Sequence, residues 1–179
     1  MNTTEQFEYV IAICRSLFEK KLKDYGASWR IMRPESITDQ IFIKAKRIRS
    51  LEIKGVSKIE EDINSEFIAI VNYGVIGLVQ LELGFSDIID IDNEKSLSLY
   101  DKHLNATKEL MYAKNHDYDE AWRNMRISSY TDLILTKLYR TKQIEANKGQ
   151  TIVSEGIDAN YMDMVNYALF ALIKLKYGD

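Results

Sequence analysis

The sequence predicts an all-α protein in which two tandem three-helix repeats pack as a pseudo-two-fold helical bundle. The stretch Asp24–Arg47 recurs at Asp117–Arg140, ninety-three positions later, with most matches at polar or aromatic residues. Apolar residues recur at three-and-four spacing over most of the chain, which is typical of amphipathic helices. Two copies are too few for a solenoid, which usually needs at least three units, so the repeats should pair as in a C2 dimer.

The first two helices are separated by a connection that contains Trp29. We expect the first helix to begin with Thr3 or Thr4 as its N-cap and to end near Lys23. Pro34 disfavours a continuous helix through the connection, because proline lacks a backbone N–H and restricts the residue before it.

The second helix is expected to start at Ser36 or Thr38 and to end at Gly55, since glycine is a common C-terminal residue of helices. The third helix should run from about Ser57 to Leu83. Its later half is apolar on nearly all sides, so we expect it to be central in the bundle.

The same order then restarts in the second half of the chain. Helices are predicted over about Glu94–Lys114, Thr131–Asn147 and Ile157–Lys176. One extra residue before Gly149 changes the offset between matched positions from ninety-three to ninety-four. Residues at matched positions are termed counterparts below.

Three consecutive segments therefore organise the chain. The first helical repeat takes residues 1–85, the connection takes 86–93 and the second helical repeat takes 94–179. Both halves should pack as one globular unit, because each long apolar third helix needs a partner to bury it.

Composition narrows the classes of function. A formal net charge of −3 argues against a broadly basic surface that coats nucleic acid. The single cysteine, Cys14, excludes an internal disulfide and a cysteine-cluster metal site. Met1–Lys20 does not have the pattern of a secretory signal, and the longest apolar stretch, Phe67–Leu81, contains two polar residues and is short for a bilayer. We expect a cytoplasmic protein that does not enter the membrane.

Each repeat places basic side chains around the start of its second helix. Lys44 and Arg47 share one helix face, since positions three apart are neighbours, and Arg33 lies just before that helix. Helix N-termini and arginine both favour phosphate, and a nearby Trp29 would stack on a base. The pattern thus predicts a pocket for a nucleotide or another phosphorylated small molecule. The predicted ligand-binding residues are Trp29, Arg33, Asp39, Lys44, Arg47 and Asn72, with the counterparts Trp122, Arg126, Asp132, Lys137, Arg140 and Asn166.

A structural interpretation stands beside this one. Asp39 and Asp132 lie in a first helical turn, where carboxylates offset the helix dipole, and Lys or Arg on helices often pairs with neighbouring acids. Asn72 inside an apolar helix needs a partner, which would be Asp39 or Arg47 if its role is to fix packing. In that case the protein is a ligand-free helical scaffold or an interaction module.

The sequence assigns no catalytic residue and no metal site. The two histidines, His103 and His116, lie in one half and have no counterparts. Acids recur without the spacing of a known metal motif, so Mg²⁺ bridging carboxylates and substrate phosphates stays open. These recurring acids are Asp24, Asp39, Glu52 and Glu61, with the counterparts Asp117, Asp132, Glu145 and Glu155.

The doubled motif resembles the nucleotide-modification-associated domain family of phages and bacteria. The residues that carry the resemblance are DYGASW with the following Arg33, the run Thr38–Arg47 and the later Asn72-Tyr73, all repeated in the second half. The resemblance covers nearly the whole chain as a tandem pair. It implies a link to nucleotide or DNA-base metabolism, without an assigned reaction.

The layout is also similar to all-α nucleoside-triphosphate pyrophosphohydrolases of the MazG and dimeric dUTPase type. Those enzymes hold Mg²⁺ with E-x-x-E on one helix and E-x-x-D on the next. Here Lys137-x-x-Arg140 is followed by Asp163-x-x-Asn166, so bases stand where metal ligands would be needed. If the protein is an enzyme, this similarity implies nucleotide processing in which cations hold the phosphate directly.

The two copies differ at Gly26/Asp119 and Pro34/Ile127. Such differences at the Trp-bearing connection raise the expectation that only one of the two repeats carries a working site. The pairing of repeats within the chain leaves a further homo-oligomer open.

Overall fold

The computed structural model describes residues 1–55 and 59–178, and within residues 59–62 only the backbone. Over this part of the chain the protein forms six α-helices and two 3₁₀ turns, with no β-strand. This confirms the predicted all-α class. The helices are α1 (Thr3–Tyr25), α2 (Pro34–Lys54), α3 (Ile59–Leu83), α4 (Asn93–Tyr118), α5 (Ile127–Ala146) and α6 (Ile157–Tyr177), and the 3₁₀ turns are Ser28–Ile31 and Ala121–Asn124.

The first helix is capped one residue earlier than predicted. The side chain of Asn2, and not of Thr3 or Thr4, accepts a hydrogen bond from the backbone N–H of Glu5 at 2.9 Å. The Glu5 carboxylate in turn accepts from the Asn2 N–H, also at 2.9 Å. This reciprocal capping box satisfies two otherwise unpaired donors, which neither threonine would do alone.

The second helix of each repeat also begins earlier than predicted. α2 starts at Pro34 and α5 at Ile127, ahead of the Ser and Thr residues expected to cap them. Proline is well suited to the first helical position, because its fixed φ is helical and its missing N–H would be unpaired there. α2 ends as predicted at Gly55, which has a φ of 62°. The predicted start of the third helix at Ser57 lies outside the described residues.

The two long apolar helices α3 and α6 pack against each other at the centre of the bundle. α2 packs on α3, α5 packs on α6, and α2 also contacts α5. Glycines allow the close central approach: a Cβ atom at Gly77 would lie 3.0 Å from the ring of Tyr161, and one at Gly74 would overlap Val165. The paired arrangement expected from the repeat is therefore the observed one.

The polar contacts between the repeats occur in reciprocal pairs. Thr38 donates to the Glu145 carboxylate at 2.9 Å, and Thr131 donates to the Glu52 carboxylate at 3.2 Å. Exchanging the two repeats turns one contact into the other, as in an isologous dimer interface. A second reciprocal set joins Lys142 to Asp39 and Arg49 to Asp132, with N···O distances of 3.6 and 3.8 Å.

The segment Ile63–Leu83 of α3 is long and apolar enough to cross a membrane, with a mean hydropathy of 1.4. Within the bundle, 67% of the 18-residue window that gives this hydropathy is buried. The central position of α3 explains its apolar composition, because a helix surrounded by other helices has no face for polar residues.

Candidate ligand-binding site

Each tryptophan lies in a 3₁₀ turn that is held by a polar side chain from the central helix of its repeat. In the first repeat, Gln80 Nε2 donates to the Met32 carbonyl at 2.7 Å and to two further carbonyls of the same turn. In the second repeat its counterpart, Lys174, donates to the Met125 carbonyl at 2.5 Å. These bonds satisfy backbone carbonyls that the short turn leaves free, so both turns have the same position over the central helices.

Arg30 supports the first turn and does not face a ligand site. Its side chain is buried, and its guanidinium donates to the Asp90 carboxylate at 2.8 Å and to the Gly84 carbonyl at 2.6 Å. The Arg30 guanidinium lowers the pKa of Asp90, chiefly by donating a hydrogen bond to the carboxylate. Arg30 thereby attaches the connection between the repeats to the end of α3.

A cavity of about 590 Å³ lies under Trp29 in the first repeat, between α1, the 3₁₀ turn, α2 and α3. One side of α3, from Glu66 to Ile76, forms its floor, and ten residues of helix span ~15 Å. The Trp29 end is aromatic and apolar, whereas the opposite end carries charged side chains. The residues that line the cavity include Phe18, Lys21, Tyr25, Trp29, Lys44, Glu66, Ala69, Asn72, Tyr73 and Ile76.

The charged end of the cavity contains two cations and one buried carboxylate. Glu66 is 5% exposed; its Oε1 accepts from Arg47 at 2.6 Å, and its Oε2 lies 3.7 Å from Lys44 Nζ. Within the described residues, Glu66 Oε2 accepts no hydrogen bond. Two cations on one carboxylate leave a positive excess, which favours an anion at this end.

Asn72 lines the cavity while it also joins three helices. Its Nδ2 donates to the Cys14 carbonyl at 3.1 Å, and its Oδ1 accepts from the Tyr100 hydroxyl at 2.7 Å. The prediction that Asp39 or Arg47 is the partner of Asn72 was wrong. The Asn72 side chain points toward α1 and α4, whereas Asp39 and Arg47 belong to α2. Its counterpart in the second repeat, Asn166, donates to a carbonyl of α4 at 3.2 Å.

The structure gathers only part of the predicted set at the first cavity. Trp29, Lys44 and Asn72 line it, and Arg47 reaches it through Glu66. Arg33 is exposed and lies over the ring of Phe85, and Asp39 belongs to the inter-repeat ion pairs.

A second, smaller cavity of about 140 Å³ lies under Trp122. All ten of its lining residues are counterparts of residues that line the first cavity. It is small because Phe170 stacks on Trp122 and because Asp163 forms ion pairs with Lys114 and Lys137.

Arg126, Asp132 and Arg140 lie away from this small cavity, whereas Lys137 contacts it through Asp163. Asp132 pairs with Arg49, and Arg126 is exposed without an acidic partner in the described part of the chain. Arg140 and Lys137 line a wide groove between α5 and residues 150–155. The structure thus does not bring the six predicted residues of either repeat to one place.

The recurring acids do not form a metal site in the described part of the chain, where no three His, Cys, Asp or Glu side chains are placed to hold a metal. Glu52 and Glu145 are half-buried at the contact between repeats, and burial raises the pKa of both. The Glu61 side chain lies outside the described residues.

Among the lining residues of the first cavity that sequence reasoning did not assign to the ligand are Lys21, Tyr25 and Glu66. Lys21 recurs as Lys114 at the same offset as the rest of the motif, so a longer comparison of the repeats would have found it. Glu66 has Asn160 as its counterpart, and a search for matched residues passes over such a position.

The chain belongs to the family described as nucleotide modification associated domain 1. The model of that family matches residues 21–81 and again residues 114–175, which are the two repeats. The matches begin at Lys21 and at its counterpart, so they include the basic residue that our motif left out. No curated protein and no solved structure matches the chain. The similarity to all-α pyrophosphohydrolases stays a prediction.

Proposed function

We propose that the first repeat binds a nucleotide, or a similar phosphorylated small molecule, in the cavity under Trp29. The observation that supports this most is the polarity of that cavity, which is aromatic at the Trp29 end and cationic near Lys44. Aromatic side chains stack on nucleobases, and lysine holds phosphate as a point charge. The family description points to nucleotide modification as the biological setting.

Two buried polar atoms at this cavity have no hydrogen-bond partner in the described part of the protein: Trp29 Nε1 and Glu66 Oε2. Buried polar groups are nearly always hydrogen-bonded, so a ligand is expected to supply the missing partners. Trp122 Nε1 and Asn166 Oδ1 are equally unpaired at the filled cavity, so the argument depends on the carboxylate of Glu66, whose counterpart is Asn160. A carboxylate oxygen at this place would accept from a sugar hydroxyl or from an amino group.

A calorimetric titration and a thermal-shift screen with nucleoside mono-, di- and triphosphates, with and without Mg²⁺, test the proposal. Lys44→Met should weaken binding by at least about tenfold, since hydrogen bonds to charged groups contribute roughly 1.5–3 kcal/mol and ~1.4 kcal/mol corresponds to a factor of ten. The matched control is Lys137→Met, which removes the same residue type at the filled cavity and should leave the affinity unchanged.

The alternative is a scaffold without a ligand, and the reciprocal contacts between repeats favour it for part of the motif. Asp39 and Asp132 take part in these contacts and not in either cavity. If no nucleotide raises the melting temperature, mass action excludes tight binding to the folded state, and the scaffold replaces our proposal.

A further inference from the structure

Two of the substitutions between the repeats place larger side chains in the second cavity. Phe170 in the second repeat replaces Ile76 of the first, and Asp163 replaces Ala69. Both larger side chains line the second cavity and are buried there. The second repeat thus fills the place that the first repeat leaves open.

The ring of Phe170 takes the position in which a base would stack on tryptophan. Its centroid lies 4.6 Å from that of Trp122, and the two planes are inclined by only 11°. In the first repeat the shorter Ile76 occupies this position. Phe18 approaches Trp29 from α1, but its ring is tilted by 39° at 6.3 Å and does not stack. The second repeat thus places a ring parallel to its tryptophan, whereas the ring of Phe18 next to Trp29 in the first repeat is not parallel.

The carboxylate of Asp163 takes the position of an anion. One oxygen lies 3.1 Å from Lys114 Nζ and the other 2.9 Å from Lys137 Nζ. Burial opposes the charge on Lys114, yet the hydrogen bond and the negative charge of Asp163 raise the pKa of this lysine. Asp163 thus bridges two lysines from two different helices.

The counterparts of those lysines, Lys21 and Lys44, both line the open cavity. Ala69 leaves no carboxylate between them. Lys21 has no ion-pair partner in the described part of the chain, and Lys44 has only the 3.7 Å contact with Glu66. An anionic ligand group would bridge Lys21 and Lys44 as Asp163 bridges their counterparts in the second repeat.

We infer that the first cavity binds one nucleoside monophosphate. In the second cavity, the Phe170 ring occupies the place of its base and the Asp163 carboxylate the place of its phosphate. This inference rests on the proposed function and adds the ligand class, the role of Lys21 and the number of sites. The base stacks on Trp29, and the phosphate bridges Lys21 and Lys44.

The distance between Asp163 and Phe170 suits a nucleoside monophosphate. Asp163 and Phe170 are seven residues apart on one helix, which is ~10 Å. A sugar between a base and a phosphate spans a gap of this kind. A single phosphate monoester carries about −1.5 to −2 charges, which two lysines can balance, whereas a triphosphate brings more charge than they neutralise.

Isothermal titration calorimetry with AMP, CMP and ATP on three proteins tests the inference. The wild type should bind one monophosphate per chain and should prefer it to ATP. An opened variant, Asp163→Ala with Phe170→Ile, gives the second cavity the residues of the first at these two positions and should bind two. A closed variant, Ala69→Asp with Ile76→Phe, introduces the two larger side chains of the second cavity into the first. It should bind no nucleotide, and its melting temperature should equal or exceed that of the wild type.

The possible results separate the inference from the proposal beneath it. Failure of the wild type to bind any nucleotide overturns both. One site in the wild type together with one undiminished site in the closed variant overturns the inference alone, and so do two sites in the wild type. The closed variant keeps the test decisive if the opened variant does not fold. In addition, Lys21→Met should weaken AMP binding about tenfold, and Lys114→Met should not; equal effects of the two contradict the assignment of Lys21.

Discussion

The two cavities differ about fourfold in volume although equivalent helices and turns of the two repeats surround them. In both, a tryptophan lies on a 3₁₀ turn that a polar side chain of the central helix holds in place. The first cavity measures about 590 Å³ and the second about 140 Å³. Part of the difference comes from side chains on α6, where Phe170 and Asp163 replace Ile76 and Ala69 of the first repeat. The same surrounding elements thus enclose an open cavity in one repeat and a largely filled one in the other.

The comparison predicts that the filled cavity contributes more to stability than the open one. Phe170→Ala should lower the free energy of unfolding by about 3–4 kcal/mol, because a large ring leaves a well-packed site. Ile76→Ala should cost only about 2 kcal/mol, since Ile76 already borders empty space. Urea unfolding followed by circular dichroism measures both, and equal losses would contradict the comparison.

The two buried asparagines should differ in the same measurement. Asn72→Ala removes a donor from the Cys14 carbonyl and an acceptor from the buried Tyr100 hydroxyl, which should cost about 2 kcal/mol. Asn166→Ala removes one bond, to the Thr107 carbonyl, and should cost about 1 kcal/mol. A larger loss for Asn166 would show that the hydrogen bonds do not control the difference.

The contact between repeats should instead respond symmetrically, and it should depend on pH. Burial raises the pKa of Glu52 and of Glu145 above the value in the unfolded chain. The folded state therefore binds more protons, so this contribution favours folding at low pH and is lost as the pH rises from about 4.5 through the folded-state pKa. Glu52→Gln and Glu145→Gln should each raise the melting temperature at pH 7 and have little effect at pH 4. Opposite effects of the two substitutions would disprove the symmetry.

The smallest expected effect concerns the exposed ion pairs between the repeats. Asp39→Asn and Asp132→Asn should each change stability by less than about 0.5 kcal/mol, because exposed pairs contribute little. Both should also leave nucleotide affinity within about twofold of the wild type, since neither residue lines a cavity. A strong loss of binding in Asp39→Asn would restore this residue to the ligand site.

The sequence predicted the fold because its signal is distributed over the whole chain. Helical periodicity and the doubled motif each involve dozens of residues. An error of a few residues in the predicted N-cap or helix start therefore leaves the predicted packing of the helices unchanged. Trp29, Lys44 and Asn72 were found because they recur. The open site was harder to predict, since it depends on residues that do not recur, such as Glu66, and on small side chains such as Ala69.

One of the two differences expected to distinguish the repeats does change the backbone. Gly26 has φ 67° and ψ −163°, a conformation almost restricted to glycine, whereas Asp119 has φ 50° and ψ 40°, in the left-handed region that aspartate also adopts. Pro34 and Ile127 both occupy the first position of a helix. The larger side chains of the second cavity, Phe170 and Asp163, lie on a central helix, at positions that only the three-dimensional arrangement brings next to the tryptophan.

The glycines of the central helix pair make the two halves of the chain unequal partners. The counterparts of Gly74 and Gly77 are Ala168 and Ala171, so only α3 offers the grooves that receive Val165 and Tyr161 of α6. Two copies of the second half would place an alanine Cβ against Val165 and Tyr161, whereas two copies of the first half would place Val71 and Phe67, the counterparts of those residues, in the glycine grooves. If the chain descends from a homodimer, the second half has lost that pairing: produced separately, it should bind the first half in preference to itself.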